Sequence, residues 1–157
     1  MIYNIPYRTG VNILNPSMLE LAALANIVGV KDCCIQPQQT FELIRDRPEG
    51  FSVLTGEDLN LYTALANGAD GAILASAHVQ TEQFCSVYRL AAEGNMPQAL
   101  EQWRELAGVA KLLFAEPSPA PIKHWLWRQG LIASPEVRLP MVSVSEELAG
   151  QIDLKVP

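Results

Sequence analysis

The 157-residue chain lacks most of the signatures that would give away a chemistry at first sight. It has three cysteines, Cys33, Cys34 and Cys85. The number is odd, and adjacent Cys33 and Cys34 would make a poor staple, so a disulfide framework is not expected. No Cys-x-x-Cys or His-x-x-x-His pair occurs, which speaks against a zinc site. A Gly-x-Gly-x-x-Gly loop and a P-loop are both missing, so nothing supports dinucleotide or nucleotide phosphate binding. Lys and Arg number 11 against 17 Asp and Glu and never cluster, and a net charge of −6 lacks the electrostatic footprint of a nucleic-acid binder. The most apolar stretch, Leu19 to Val30, is interrupted by Glu20 and Asn26 and is too short to span a bilayer. The opening Met-Ile-Tyr-Asn-Ile-Pro has neither a basic nor an apolar leader segment. These absences describe a cytoplasmic protein with reduced thiols, no membrane or nucleic-acid partner, no metal and no cofactor.

What is present is a β-α alternation confined to the first half. Ile2 to Ile5 reads as a strand. Asn15-Pro16-Ser17 reads as a helix entry with Asn15 capping. Ile27 to Val30, continuously apolar, reads as a strand buried on both faces. Pro37 to Arg45 is a helix with Phe41 and Ile44 on its apolar side, and Phe51 to Leu54 is a third strand. Asp58 to Ala66 is a helix stopped by Asn67-Gly68, and Gly71 to Leu74 is a fourth strand. Strand starts near residues 2, 27, 51 and 71 give a repeat of about 20 to 26 residues, as parallel strands linked by helices require. Three such units and a fourth strand amount to half of an eight-stranded barrel, though an open doubly wound sheet fits the same pattern. From Thr81 the strands cease. Thr81 caps a helix carrying Phe84 and Val87, and Pro97 opens another that runs to about Phe114. Pro117, Pro119 and Pro121 form a rigid connector, a helix follows from Ile122 to Gln129, and Ser145 starts a short last one. The division is therefore residues 1–80, the barrel half, and 81–157, the last barrel helix with a helical extension.

In parallel barrels the reacting groups project from the C-terminal ends of the strands. Those ends present Tyr3 with Arg8 beyond it, Lys31 and Asp32, then Thr55 to Asp58, then Ser76 to His78. Lys31 follows Ile-Val-Gly-Val, so its stem should lie on an apolar wall. Desolvation there disfavours the ammonium and favours the amine that attacks carbonyls. The alternative is a lysine that snorkels into water. Tyr3 can move protons or pack inside the barrel. Arg8 offers a planar fork for a carboxylate or is a solvated loop side chain. Gly56 lets something approach the backbone closely or merely ends a strand. Cys33 and Cys34 have no base beside them and are not read as nucleophiles. His78 is read as a loop histidine.

Taken in order, these segments resemble the dihydrodipicolinate synthases and the wider superfamily of N-acetylneuraminate lyases and 2-keto-3-deoxy sugar-acid aldolases. Tyr3-Asn4-Ile5-Pro6-Tyr7-Arg8-Thr9-Gly10 resembles Tyr-Asn-x-Pro-x-Arg-Thr-Gly. Asn26 to Asp32 looks like the Schiff-base strand, and Leu54-Thr55-Gly56-Glu57-Asp58 is similar to Leu-Ser-Gly-Asp-Asp. Gly68 to Ile73, Glu116 to Lys123 and Arg138-Leu139-Pro140 match further motifs. The resemblance implies the C-terminal half of a (β/α)8 barrel followed by a helical extension, and a class I pyruvate-dependent lyase. It implies that Lys31 bonds to pyruvate, Tyr3 relays protons, Arg8 holds the acceptor's carboxylate, and Gly56 and Ile73 line the pyruvate end. The acceptor it implies is aspartate semialdehyde; a sugar-acid aldehyde or a non-catalytic remnant are the alternatives. A homo-oligomer or a complementing N-terminal half is the expected partner. Three departures stand out. The Gly-Thr-Thr-Gly-Glu segment that members carry on earlier strands is not found in these residues. Asp32-Cys33-Cys34 replaces Glu-Ala-Thr or Glu-Ala-Ser, and Tyr7 replaces the common Ser.

Overall fold

The computed structural model describes residues 1–157. Four strands, β1 (Ile2–Asn4), β2 (Gly29–Asp32), β3 (Ser52–Thr55) and β4 (Gly71–Ala72), form one sheet in the order β1-β2-β3-β4. Every pairing is parallel. Helices connect the strands: α1 (Pro6–Thr9) and α2 (Asn15–Ala22) after β1, α3 (Pro37–Asp46) after β2, and α4 (Leu61–Ala66) after β3. Beyond β4 the chain is helical: α5 (Thr81–Ala92), α6 (Met96–Leu113), α7 (Ala120–Arg128) and α8 (Glu146–Asp153). The sequential order and uniform direction are those of four adjacent staves of a barrel wall, with β1 and β4 as its open edges.

The register sorts side chains onto two faces. Asn4, Asp32, Thr55 and Ala72 are paired across the sheet, and so are Tyr3, Lys31, Leu54 and Gly71. Because strand side chains alternate, the first row points to the helices and the second to the concave side. The helix-facing side is closed. Met18 of α2, Leu43 of α3, Val30, Val53 and Phe51 form one buried cluster. A second joins Leu61 and Leu74 to Phe84, Val87, Trp103 and Leu106, and a third gathers Leu113, Ile122, Trp125, Leu148 and Ile152. The concave side is open: Tyr3 is 51% and Ile73 44% exposed.

Several local expectations are revised. Helix α2 begins at Asn15 itself rather than being capped by it; the Asn15 side chain instead donates Nδ2–H to the Gln39 carbonyl at 3.0 Å and ties α2 to α3. The second strand lies two residues later than its apolar run, because Val28 is exposed and Lys31 and Asp32 pair with both neighbours. It is not buried on both faces. Phe41 is exposed, and Leu43 takes the buried position on α3. Thr81 lies one residue inside α5, its hydroxyl donating to the Ala77 carbonyl at 2.6 Å. Ser145 precedes α8 rather than starting it and caps it, its Oγ accepting from the Leu148 N–H at 3.2 Å.

Candidate active site

A pocket of about 310 Å³ opens at the C-terminal ends of β1 to β4. Tyr3, Arg8, Lys31, Gly56 and Ile73, picked out from four separate segments of sequence, all line it. Glu57, Asp58 and Tyr7 share the wall, and Phe114 and Ser118 reach it from the end of α6 and the proline connector. The last two were not foreseen. Their contribution depends on how the helical extension folds back over the strand ends, which local patterns do not encode.

Lys31 sits at the centre. It pairs with Tyr3 on one side and Leu54 on the other, so β1 and β3 fix its backbone. Its Nζ lies 4.4 Å from the centroid of the Tyr3 ring, in the range of a cation–π contact. Its stem crosses Gly56 so closely that a Cβ built on that glycine would lie 2.6 Å from Lys31 Cε and 2.3 Å from Cys33 Sγ. The close approach that Gly56 allows is therefore by the lysine and the cysteine of the neighbouring strand.

The other face of the same strand ends holds a polar cluster. Asp32, 3% exposed, accepts from Asn4 Nδ2 at 3.0 Å, from the Cys34 N–H at 3.1 Å and from Thr40 Oγ1 at 2.7 Å. Asn4 Oδ1 in turn accepts from the Ile13 N–H at 3.1 Å. Buried polar groups need such partners, and here they lock the backbone that carries Lys31. Asp58 does a similar task one strand along, accepting from the Ser76 N–H at 2.7 Å and from the Ser76 hydroxyl.

Arg8 stands in the single-turn helix α1 rather than in an open loop, and Gly10, at φ 72°, ends that turn. Its guanidinium lies 5.9 Å from the Tyr7 ring centroid and makes no ion pair. Burial, reinforced by the neighbouring Glu57 carboxylate, pushes the Tyr7 phenol well above its ordinary range. Burial likewise raises the Cys33 thiol to about 11, against a lowering contact with Tyr3, whose hydroxyl lies 3.9 Å from Cys33 Sγ. Cys34 is raised by burial too. Thiols held neutral are poor nucleophiles, in keeping with the reading of both cysteines. His78 is exposed, bonds the Ala75 carbonyl at 2.9 Å and does not line the pocket.

The arrangement is one wall of a parallel β/α barrel carrying a lysine at the mouth. The sequence model of the Dihydrodipicolinate synthetase family matches residues 1–156, and the chain belongs to that family. It is 48% identical over 153 residues to 4-hydroxy-tetrahydrodipicolinate synthase 2 of Clostridium acetobutylicum, an alignment that takes in 98% of this chain and 54% of that protein. The fold superposes on the crystal structure of dihydrodipicolinate synthase from Aquifex aeolicus with a TM-score of 0.93 at 34% identity, over 98% of this chain and 53% of the other. The chloride-inhibited dihydrodipicolinate synthase from Acinetobacter baumannii, complexed with pyruvate, gives 0.92 at 29% identity over 99% and 55%. The chain thus spans about half the length of the relatives it matches. The fold is half of a (β/α)8 barrel, with helices beyond its last strand.

Proposed function

We propose that these residues are the lysine-bearing half of a Schiff-base-forming, pyruvate-dependent lyase that condenses pyruvate with aspartate semialdehyde. The observation that carries the reading is the convergence of Lys31, Tyr3, Arg8, Gly56 and Ile73 on one pocket at the strand ends. The pyruvate complex of the Acinetobacter baumannii relative supports the choice of donor. Residues 1–80 supply the barrel wall in this account, and 81–157 the last barrel helix and the extension.

In the reaction, the Lys31 amine adds to the ketone carbon of pyruvate and water leaves, giving an imine. Loss of a methyl proton converts it to an enamine. The enamine carbon bonds to the aldehyde carbon of the acceptor, whose oxygen takes up a proton. That bond formation regenerates the imine; water, or the acceptor's own amino group, then adds to the imine carbon, the bond to the Lys31 nitrogen breaks, and the amine is restored as the product leaves. Tyr3, whose ring lies beneath the Lys31 nitrogen, handles the protons of addition and dehydration. Arg8, unpaired at the pocket edge, presents its fork to the acceptor's carboxylate. The remaining walls come from a complementary N-terminal half or from another copy in an oligomer.

The test uses the completed barrel, made by joining this chain to the N-terminal half of the Clostridium acetobutylicum relative. Pyruvate consumption is measured with aspartate semialdehyde and with sugar-acid aldehydes, for the parent and for Arg8→Lys. The expected result is a preference for aspartate semialdehyde and, in the variant, a raised KM for the aldehyde with borohydride trapping of pyruvate largely intact. A preference for a sugar-acid aldehyde would replace the acceptor, and equal loss of both steps would make Arg8 structural.

A further inference from the structure

We propose that Cys33 is a positioning residue for Tyr3, its S–H held against the phenol oxygen so that the phenol's own proton is left free for the pocket. The inference rests on the lyase reading and adds to it a residue that acts from behind the pocket wall.

Cys33 stands two residues beyond Lys31, so the two side chains leave the strand end on the same side. Both meet the bare backbone of Gly56, where a Cβ would lie 2.3 Å from Cys33 Sγ and 2.6 Å from Lys31 Cε. Lys31 continues into the pocket, whereas Cys33 is fully buried and lines none of it. The Cys33 N–H donates to the Asn4 carbonyl at 2.8 Å, which fixes the residue to β1. Its Sγ donates to the Tyr3 hydroxyl oxygen over 3.9 Å, a length at which sulfur still bonds weakly. That is the one hydrogen bond the Tyr3 hydroxyl makes within these residues. Tyr3 is otherwise half exposed, with Lys31 Nζ over its ring.

Burial, reinforced by the Glu57 charge, raises the thiol to about 11, so the sulfur keeps its proton near neutral pH and serves as a donor. Glu57 is the other acceptor beside the thiol, but no hydrogen bond closes on its Oε1. In the dehydration step Tyr3 gives its O–H proton to the carbinolamine hydroxyl, the C–O bond breaks, water leaves and the nitrogen lone pair closes the C=N bond. The phenolate so formed accepts the Cys33 S–H until the methyl group of the iminium returns a proton on the way to the enamine. Donation to a charged oxygen is stronger than donation to a neutral one, so the thiol favours the transfer. Alanine, the residue usual at this point of the pattern the chain resembles, offers no donor.

The experiment uses the completed barrel as parent, Cys33→Ala, Tyr3→Phe and the double variant. Adduct formation is timed with borohydride over a range of pyruvate concentrations. The Cys33 S–H stretch is read in the infrared as the difference between each protein and its Cys33→Ala counterpart, with Glu57→Gln added to the set. Cys33→Ala should slow adduct formation at saturating pyruvate about three- to tenfold, the scale of one hydrogen bond, and leave the half-saturating concentration unchanged. In the slower Tyr3→Phe background the same substitution should change the rate less than about twofold, because the hydroxyl it acts through is gone. The S–H band should move to higher frequency in Tyr3→Phe and keep its place in Glu57→Gln. A band that Glu57→Gln moves and Tyr3→Phe does not would give the thiol to the carboxylate and overturn the proposal. Equal slowing by Cys33→Ala in both backgrounds would reduce the residue to packing and overturn it too. No slowing in a barrel that traps pyruvate would overturn this role and leave the lyase reading standing. A parent that traps none would overturn both.

Discussion

Substituting Gly56 by alanine probes the strand-end geometry most sharply. The added Cβ would stand 2.3 Å from Cys33 Sγ, 2.6 Å from Lys31 Cε and 3.0 Å from Lys31 Cγ. All three are at or inside the closest approach that packed carbon tolerates, so something must move. The two neighbours differ in freedom. Cys33 is fully buried and has nowhere to go, whereas the Lys31 stem borders the open pocket and can swing out. Overpacking of this kind costs about 1–3 kcal/mol. For a domain of this size that is a fall in Tm of about 2–4 °C for each kcal/mol. The larger effect should be chemical. Displacing the amine by about 1 Å from its productive position can slow a reaction on the order of 10²-fold. We expect Gly56→Ala in the completed barrel to lose a few degrees of Tm and about two orders of magnitude in the rate of borohydride-trappable adduct formation. Adding Cys33→Ala should return much of the Tm, because it removes the immobile clash, but little of the rate, because the clash with Lys31 persists. Normal adduct formation in Gly56→Ala would refute the idea that this glycine exists to let the lysine pass.

The remaining expectations follow from other parts of the structure. Asp32→Ala leaves three donors, on Asn4, Cys34 and Thr40, without their acceptor. At about 1–3 kcal/mol for each orphaned buried donor, urea unfolding should show a loss of roughly 3 kcal/mol or more; a loss under about 1 kcal/mol would mean that water replaces the carboxylate. Cys85 is exposed whereas Cys33 is buried with its thiol raised to about 11, so iodoacetamide near neutral pH should label Cys85 first. The unfolded thiol ionises near 8.5 and the folded one does not until about 11. Cys33 therefore costs the fold nothing below the lower value and destabilises it as pH rises between the two, which pH-dependent unfolding of Cys33→Ala against the parent would reveal. The 157-residue chain alone, with sheet edges at β1 and β4 and a concave face exposing Tyr3 and Ile73, should self-associate and turn over negligibly. Sedimentation and turnover measurements giving an active monomer would contradict this.

Much of the architecture was legible because the β-α repeat is strong and the punctuation clear. Asn67-Gly68 ends α4 where expected, with Gly68 at φ 90°, and the short last helix falls next to Ser145. Strand boundaries were less so. At β2 the apolar run ends before the pairing does, because Lys31 and Asp32 are held by neighbours that lie far away in sequence. The buried polar cluster around Asp32 was invisible for the same reason. Asn4, Asp32 and Thr40 look like ordinary surface residues until the register pairs Asn4 with Asp32 and α3 brings Thr40 onto the Asp32 carboxylate. The pocket was readable as far as strand ends could be counted. Phe114 and Ser118, brought in by the return of the helical extension, could not be.

In the proposed reaction one of the four lysines in these residues, Lys31, bonds to the donor ketone. Incubating the completed barrel with pyruvate and borohydride and mapping the modified peptide tests it directly. A single reduced pyruvate adduct on Lys31 is expected, absent without pyruvate and lost in Lys31→Ala. An adduct on Lys111, Lys123 or Lys155, or none at all in a folded barrel, would contradict it.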